Sequence, residues 1–254
     1  LGDVLQQINI NDGATLSAQG TIITDQPIAV SGDATLEVPS GSSLRVNQGL
    51  KGSAVVTKSG AGSLTTGSGN TYSKLVIKQG TVYASVSANV DQLPATVEFQ
   101  GGTLWGTTDD SNSHATRANF VVPEGKTGTY YGAYRGTNSG KLSGSGTFTV
   151  YSGGVRCYWN GDWSEFEGTL VPATVNRQAK PTYTPTFNFT NNKGIPNATL
   201  KLNNDVIVYN NDPANSSTSY NVEIGNVIGT GTLAGTGAYI LGTNGSNIVA
   251  SFSA

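Results

Sequence analysis

Apolar residues alternate with Ser, Thr and Gly in short runs, and a turn signal breaks every run within about 5–10 residues. In "ATLEVPSGSSLRVNQG", Leu36 and Val38 share one face, and Leu44 and Val46 share one face after a Ser-Gly turn. "YSKLVIKQGTVYAS" repeats the form with Leu75, Ile77 and then Val82. "ATVEFQGGTLWG" repeats it again with Val97, Phe99 and Leu104. Period-two alternation gives a strand one apolar face. Strands this short cannot bury that face alone, and the turns leave no room for helical crossovers. No segment sustains a 3.6-residue apolar stripe.

An antiparallel sandwich or barrel and a stacked β-solenoid both answer this pattern. The triplets Gly80-Thr81-Val82, Gly102-Thr103-Leu104, Gly146-Thr147-Phe148, Gly168-Thr169-Leu170 and Gly231-Thr232-Leu233 favour the solenoid. Glycine permits a sharp corner, and a β-branched Thr opens the next strand. The expected fold is therefore all-β: a parallel β-helix with irregular loop excursions in the middle. Residues 1–254 form one solenoid domain or divide near 176–197, where Pro181, Pro185 and Pro196 gather.

Four segments resemble the passenger-associated transport repeat of bacterial autotransporters. They are Thr57-Lys58-Ser59-Gly60-Ala61-Gly62-Ser63-Leu64, Asn70-Thr71-Tyr72, Leu75 to Ile77, and Gly80-Thr81-Val82. A weaker echo is Asp162-Trp163-Ser164-Glu165-Phe166-Glu167-Gly168-Thr169-Leu170. The strong match covers about 30 residues. The resemblance implies a right-handed β-helix in a protein exported to the bacterial surface. It is nearly silent about chemistry.

Charged residues are only 12% of the chain, and the net charge is −2. Nucleic-acid binding needs clustered Lys and Arg, and the 14 basic residues are scattered. No apolar run approaches the ~18 residues of a membrane helix, so membrane insertion is not expected. The absence of Met and the start at Leu1 fit a piece processed from a larger surface protein, with further domains of that parent as neighbours.

The sequence shows no ligand set for a metal or cofactor. His114 is the sole histidine, and no zinc or Ser-His-Asp constellation assembles around it. Cys157 lies among apolar and aromatic residues, as a buried structural thiol does. A polysaccharide lyase-like β-helix would need a carboxylate cluster and a base, for which Asp109, Asp110 and Arg117 are the nearest approach.

The aromatic residues stand out more. Trp105, Tyr130, Tyr131, Tyr134, Tyr158, Trp159 and Trp163 fall within one span that holds all three tryptophans. Exposed rings stack on sugar faces, and Asp109, Asp110, Asn160 and Asp162 would accept bonds from the hydroxyls. The expectation is a non-catalytic surface module, adhesive, glycan-binding or a spacer, with a polysaccharide or host cell-surface glycan as partner. The alternative is the lyase-like enzyme.

Overall fold

The computed structural model describes residues 6–84, 93–106, 113–132, 135–152, 156–174, 186–212, 215–245 and 249–250. Among these residues every regular element is a strand and none is a helix. The strands stack in parallel as a β-solenoid of about 9 turns.

The longest sheet has 12 strands and runs from Thr21–Thr24 to Tyr239–Leu241, with Val249–Ala250 paired beside its path. A seven-stranded sheet runs from Thr15–Ser17 to Leu142–Ser143. The remaining position in the coil is filled first by Ile8–Ile10, Ile28–Val30 and Leu50–Lys51. From Ser113–Thr116 onward it is filled by a six-stranded sheet ending at Thr232–Ala234. One short antiparallel pairing, Asn211–Asp212 with Asn215–Ser219, interrupts the parallel rule.

The registers show why the sequence alternates. On the long sheet, Leu44, Leu64, Val82, Leu104, Tyr130 and Val150 form one inward column. Ala34, Val56, Leu75, Val97, Phe120 and Leu142 form another on the seven-stranded sheet. All of these side chains are buried. Each apolar residue thus packs on its equivalent in the coils before and after it. Leu64, Val82 and Leu104 follow one another on successive coils, whereas Ile77 sits on the same coil as Val82.

Of the five glycines in the recurrent triplets, only Gly80 has a positive φ, at 72°. Gly168 illustrates the other constraint: a Cβ there would lie 1.9 Å from the Gly146 carbonyl oxygen. The corner demands glycine mainly because one coil presses on the next.

Lys58 occupies an inward position between Leu36 and Ile77 and is fully buried. Its ammonium donates to the carbonyls of Ser59 at 2.8 Å, Gly60 at 2.6 Å and Gln79 at 3.1 Å. It therefore ties two coils together at a corner where strand pairing stops. Burial pushes its pKa down to about 8. At another corner Asn70 accepts from the Leu50 N–H at 2.7 Å and donates to the Gly67 carbonyl at 3.2 Å.

The middle of the chain is more regular than its polar sequence suggests. The strands Ser113–Thr116, Asn119–Val121, Thr127–Tyr131, Arg135–Asn138 and Arg156–Trp159 all pair in the ladders, so the excursions are confined to shorter connections. Residues 175–185 of the expected boundary lie outside the described residues. Thr186–Phe189 and Ile195–Leu202 pair with the preceding coil's strands.

Candidate interaction face

Parity decides where each aromatic ring goes. In Arg156–Trp159, Cys157 and Trp159 are buried and Arg156 and Tyr158 are half-buried, as alternation requires. Trp159 packs against Trp163, Phe187 and Phe189 with ring centroids 5.2, 5.4 and 4.8 Å away. Trp163 is also buried, and its indole N–H donates to the Gly140 carbonyl at 3.1 Å. Tyr130 lies in the inward column, 5.1 Å from Phe120. The expectation that Tyr130, Trp159 and Trp163 line an exposed face is therefore corrected. They build the core, because a large ring at an inward position removes more apolar area from water than any other residue. Burial pushes the Cys157 thiol up to about 12, consistent with an inert structural residue.

Trp105 and Tyr131 face outward from the long sheet, and they belong to a column that includes two residues outside the expected set. Tyr83, Trp105, Tyr131 and Tyr151 are in register on four consecutive coils, all half-buried. Tyr83 and Trp105 are tilted at 42° with centroids 5.7 Å apart. Trp105 stacks on Tyr131 at 4.3 Å and 13°, and Tyr131 on Tyr151 at 4.4 Å and 8°. Two residues earlier in each strand runs an outward column of Thr81, Thr103, Thr129 and Thr149. The signal for Tyr83 and Tyr151 was in the sequence: an aromatic residue follows an outward Thr at a spacing of two in all four strands. None of these eight side chains is charged.

The other expected residues fall elsewhere. Tyr158 is on the outer side of the six-stranded sheet, with the Arg156 guanidinium carbon 5.5 Å from its ring centroid. Asn160 is exposed at the following corner, where its backbone N–H donates to the Asn138 carbonyl at 2.8 Å. Asp162 is tied down: it pairs with Lys193 and accepts from the Ser164 hydroxyl at 2.6 Å and backbone N–H at 3.2 Å. The bond from Lys193, then those from Ser164, hold its carboxyl down to about 2. Asp109, Asp110 and Tyr134 lie outside the described residues. No three His, Cys, Asp or Glu side chains gather as a metal site among the described residues.

The fold and this face define an all-β parallel solenoid with an external aromatic ladder. No family model, curated protein or solved structure matches the chain.

Proposed function

We propose that the chain is a non-catalytic module of an exported bacterial surface protein, and that the outer side of its long sheet binds an extended, neutral glycan. The right-handed winding and the kinship with passenger-associated transport repeats belong to the same proposal. The observation that carries it is the aromatic column Tyr83, Trp105, Tyr131 and Tyr151 beside the Thr column. Its rings stack on one another, so the inner ones offer edges rather than open faces. At the column's ends the neighbours are Thr65 and Ala173, which place no ring over Tyr83 or Tyr151. An apolar strip with hydroxyls alongside suits a chain that crosses several coils, rather than one sugar in a pocket. The absence of charge on the strip favours a neutral polymer over an acidic one. The lyase-like alternative rests on Asp109 and Asp110, which lie outside the described residues.

A glycan array identifies the ligand, and calorimetry on variants tests the face. Trp105→Ala and Tyr131→Ala should each weaken binding roughly 5- to 10-fold, from about 1 kcal/mol per aromatic contact. Tyr158→Ala, on another sheet, should leave it unchanged. No ligand on the array, or parent-like affinity in both long-sheet variants with the fold retained, rejects the proposal.

A further inference from the structure

The outer side of the long sheet repeats with a period that selects among glycans. Its hydroxyl column is longer than its ring column. Thr21, Ser43 and Ser63 lie in register before Thr81, so every coil from Thr21 to Thr149 places a hydroxyl at the same outward position. All of these residues are half-buried or exposed. The rings occupy only the coils of Tyr83, Trp105, Tyr131 and Tyr151. The coil before them presents Ser63 and Thr65, with hydroxyls and no ring. The coil after them presents Val171 and Ala173, with neither.

Strand geometry fixes the dimensions of this pattern. Neighbouring coils lie about 4.8 Å apart, and two residues along a strand span about 6.6 Å. The rings and the hydroxyls are therefore two parallel rows, one apolar and one polar. The pairing holds one register from Thr21–Thr24 to Thr169–Thr174, and the shift in the long sheet comes later, between Ile195 and Thr199. In the ring column the first charged side chain towards the N-terminus is Arg45, two coils before Tyr83. An uncharged strip of this kind complements an uncharged polymer, because no ion on either side has to be desolvated.

Building on the glycan reading above, we propose that this face takes a neutral β-1,4-linked polymer of pyranoses with equatorial ring hydroxyls, one sugar to each coil along the solenoid axis. Such a chain is a flat, extended ribbon. Its rise per sugar is close to the spacing between coils, so sugars and coils stay in step across the four rings. Axial C–H bonds make the ribbon's faces apolar, and its equatorial hydroxyls leave through the rims. Laid flat, the ribbon sets a C–H face on the row of ring edges and one rim along the Thr row. Successive sugars are turned over, so that rim offers the C6 hydroxyl and the C2 and C3 hydroxyls in alternation. A Thr hydroxyl both donates and accepts, so the same side chain serves each. Branching at Cβ restricts the Thr side chains before the ligand arrives, which lowers the ordering cost of binding. An α-1,4- or β-1,3-linked chain curls and leaves a straight row within a few sugars. An axial hydroxyl would be pressed against the rings without a partner.

The test is calorimetry on the whole chain with β-1,4-linked glucose oligomers of two to eight sugars, beside α-1,4- and β-1,3-linked glucose oligomers of the same lengths. Affinity in the β-1,4 series should rise roughly tenfold from two sugars to four, as further ring contacts form, and then change by less than about threefold. At four sugars the other two series should bind at least about tenfold more weakly. Thr103→Val and Thr129→Val keep the branched shape and remove the hydroxyl. Each should weaken binding of the β-1,4 tetramer about fivefold at an unchanged melting temperature. Thr199→Val, on a coil beyond the rings, should leave it unchanged. Equal binding of the three linkages, or no gain from two sugars to four, would overturn the proposal while leaving a glycan site on this face. Parent-like affinity in both Thr103→Val and Thr129→Val would overturn the role of the hydroxyl row. No binding of the β-1,4 series would overturn the proposal outright, and the array together with Trp105→Ala would then decide whether the face binds another glycan.

Discussion

Lys58 gives the solenoid a pH dependence with a definite sign. Its pKa is about 8 in the folded chain against an ordinary 10.5. Below pH 8 both folded and unfolded chains hold the proton, and the folded state bears the full cost of burying the charge. As pH rises from 8 towards 10.5, the folded lysine loses its proton while the unfolded one keeps it. The unfolded state then binds more protons, so stability rises with pH. The 2.5-unit gap corresponds to about 3 kcal/mol, of which about 2 kcal/mol is recovered between roughly pH 7 and pH 9.5. Burial works against the three carbonyls of Ser59, Gly60 and Gln79, which favour the ammonium. Lys58→Met fills the column between Leu36 and Ile77 with a stem of similar length and removes the titration. Cys157, Tyr72 and Tyr239 also shift, upward through burial, and cost stability at high pH. They are present in both proteins, so the difference between parent and variant isolates Lys58. Urea denaturation at several pH values should show the parent gaining on the variant by about 2 kcal/mol over that window. A difference that stays flat with pH would mean that the carbonyls keep Lys58 charged, and the burial argument would fail.

Leu75→Asp places an unpaired charge between Val56 and Val97 in a fully buried column and should cost more than about 4 kcal/mol, read as a collapse of the thermal midpoint. Gly168→Ala forces a methyl group against the Gly146 carbonyl and should cost about 1–3 kcal/mol by urea denaturation; a neutral result would show that the coils are not pressed together at that corner.

The inward half of the fold was legible because each ladder repeats the same parity. Leu44, Leu64, Val82 and Leu104 could be placed from alternation alone. The same rule places Trp159 inside, against a local signal that points the other way. Cys157 was expected inside, and a residue two positions on in one strand shares its face. A turn signal such as Asn160-Gly161-Asp162 ordinarily pushes a neighbouring ring outward. Trp163 re-enters the core beyond this corner and meets Trp159 at 5.2 Å. The irregular middle expected from the sequence has a related cause in Ser113–Thr116 and Arg135–Asn138. Its inward positions include Thr116, and the next coil places Gly136 and Asn138 inward, so the apolar alternation fades where the strands persist. Lys58 obeyed parity as well, but a lysine in a strand ordinarily signals the wet side.

The outer column could not be read from the core pattern, because nothing inside the solenoid requires Tyr83, Trp105, Tyr131 and Tyr151 to be aromatic. Their column begins after Thr65 and ends before Ala173, and the inward ladder continues past both. Their three ring contacts add roughly 0.5–1.5 kcal/mol each, which clamps four coils together on one side. Clamping and binding do not compete. A ring already fixed by its neighbours has little rotamer freedom left to lose when a ligand arrives, so more of each contact survives as affinity. Stacking therefore gives this face the rigidity that a weak, multi-coil contact with a polymer requires. It also follows that removing an inner ring such as Tyr131 should loosen both Trp105 and Tyr151, whereas removing Tyr83 at the column's tilted end disturbs one neighbour only.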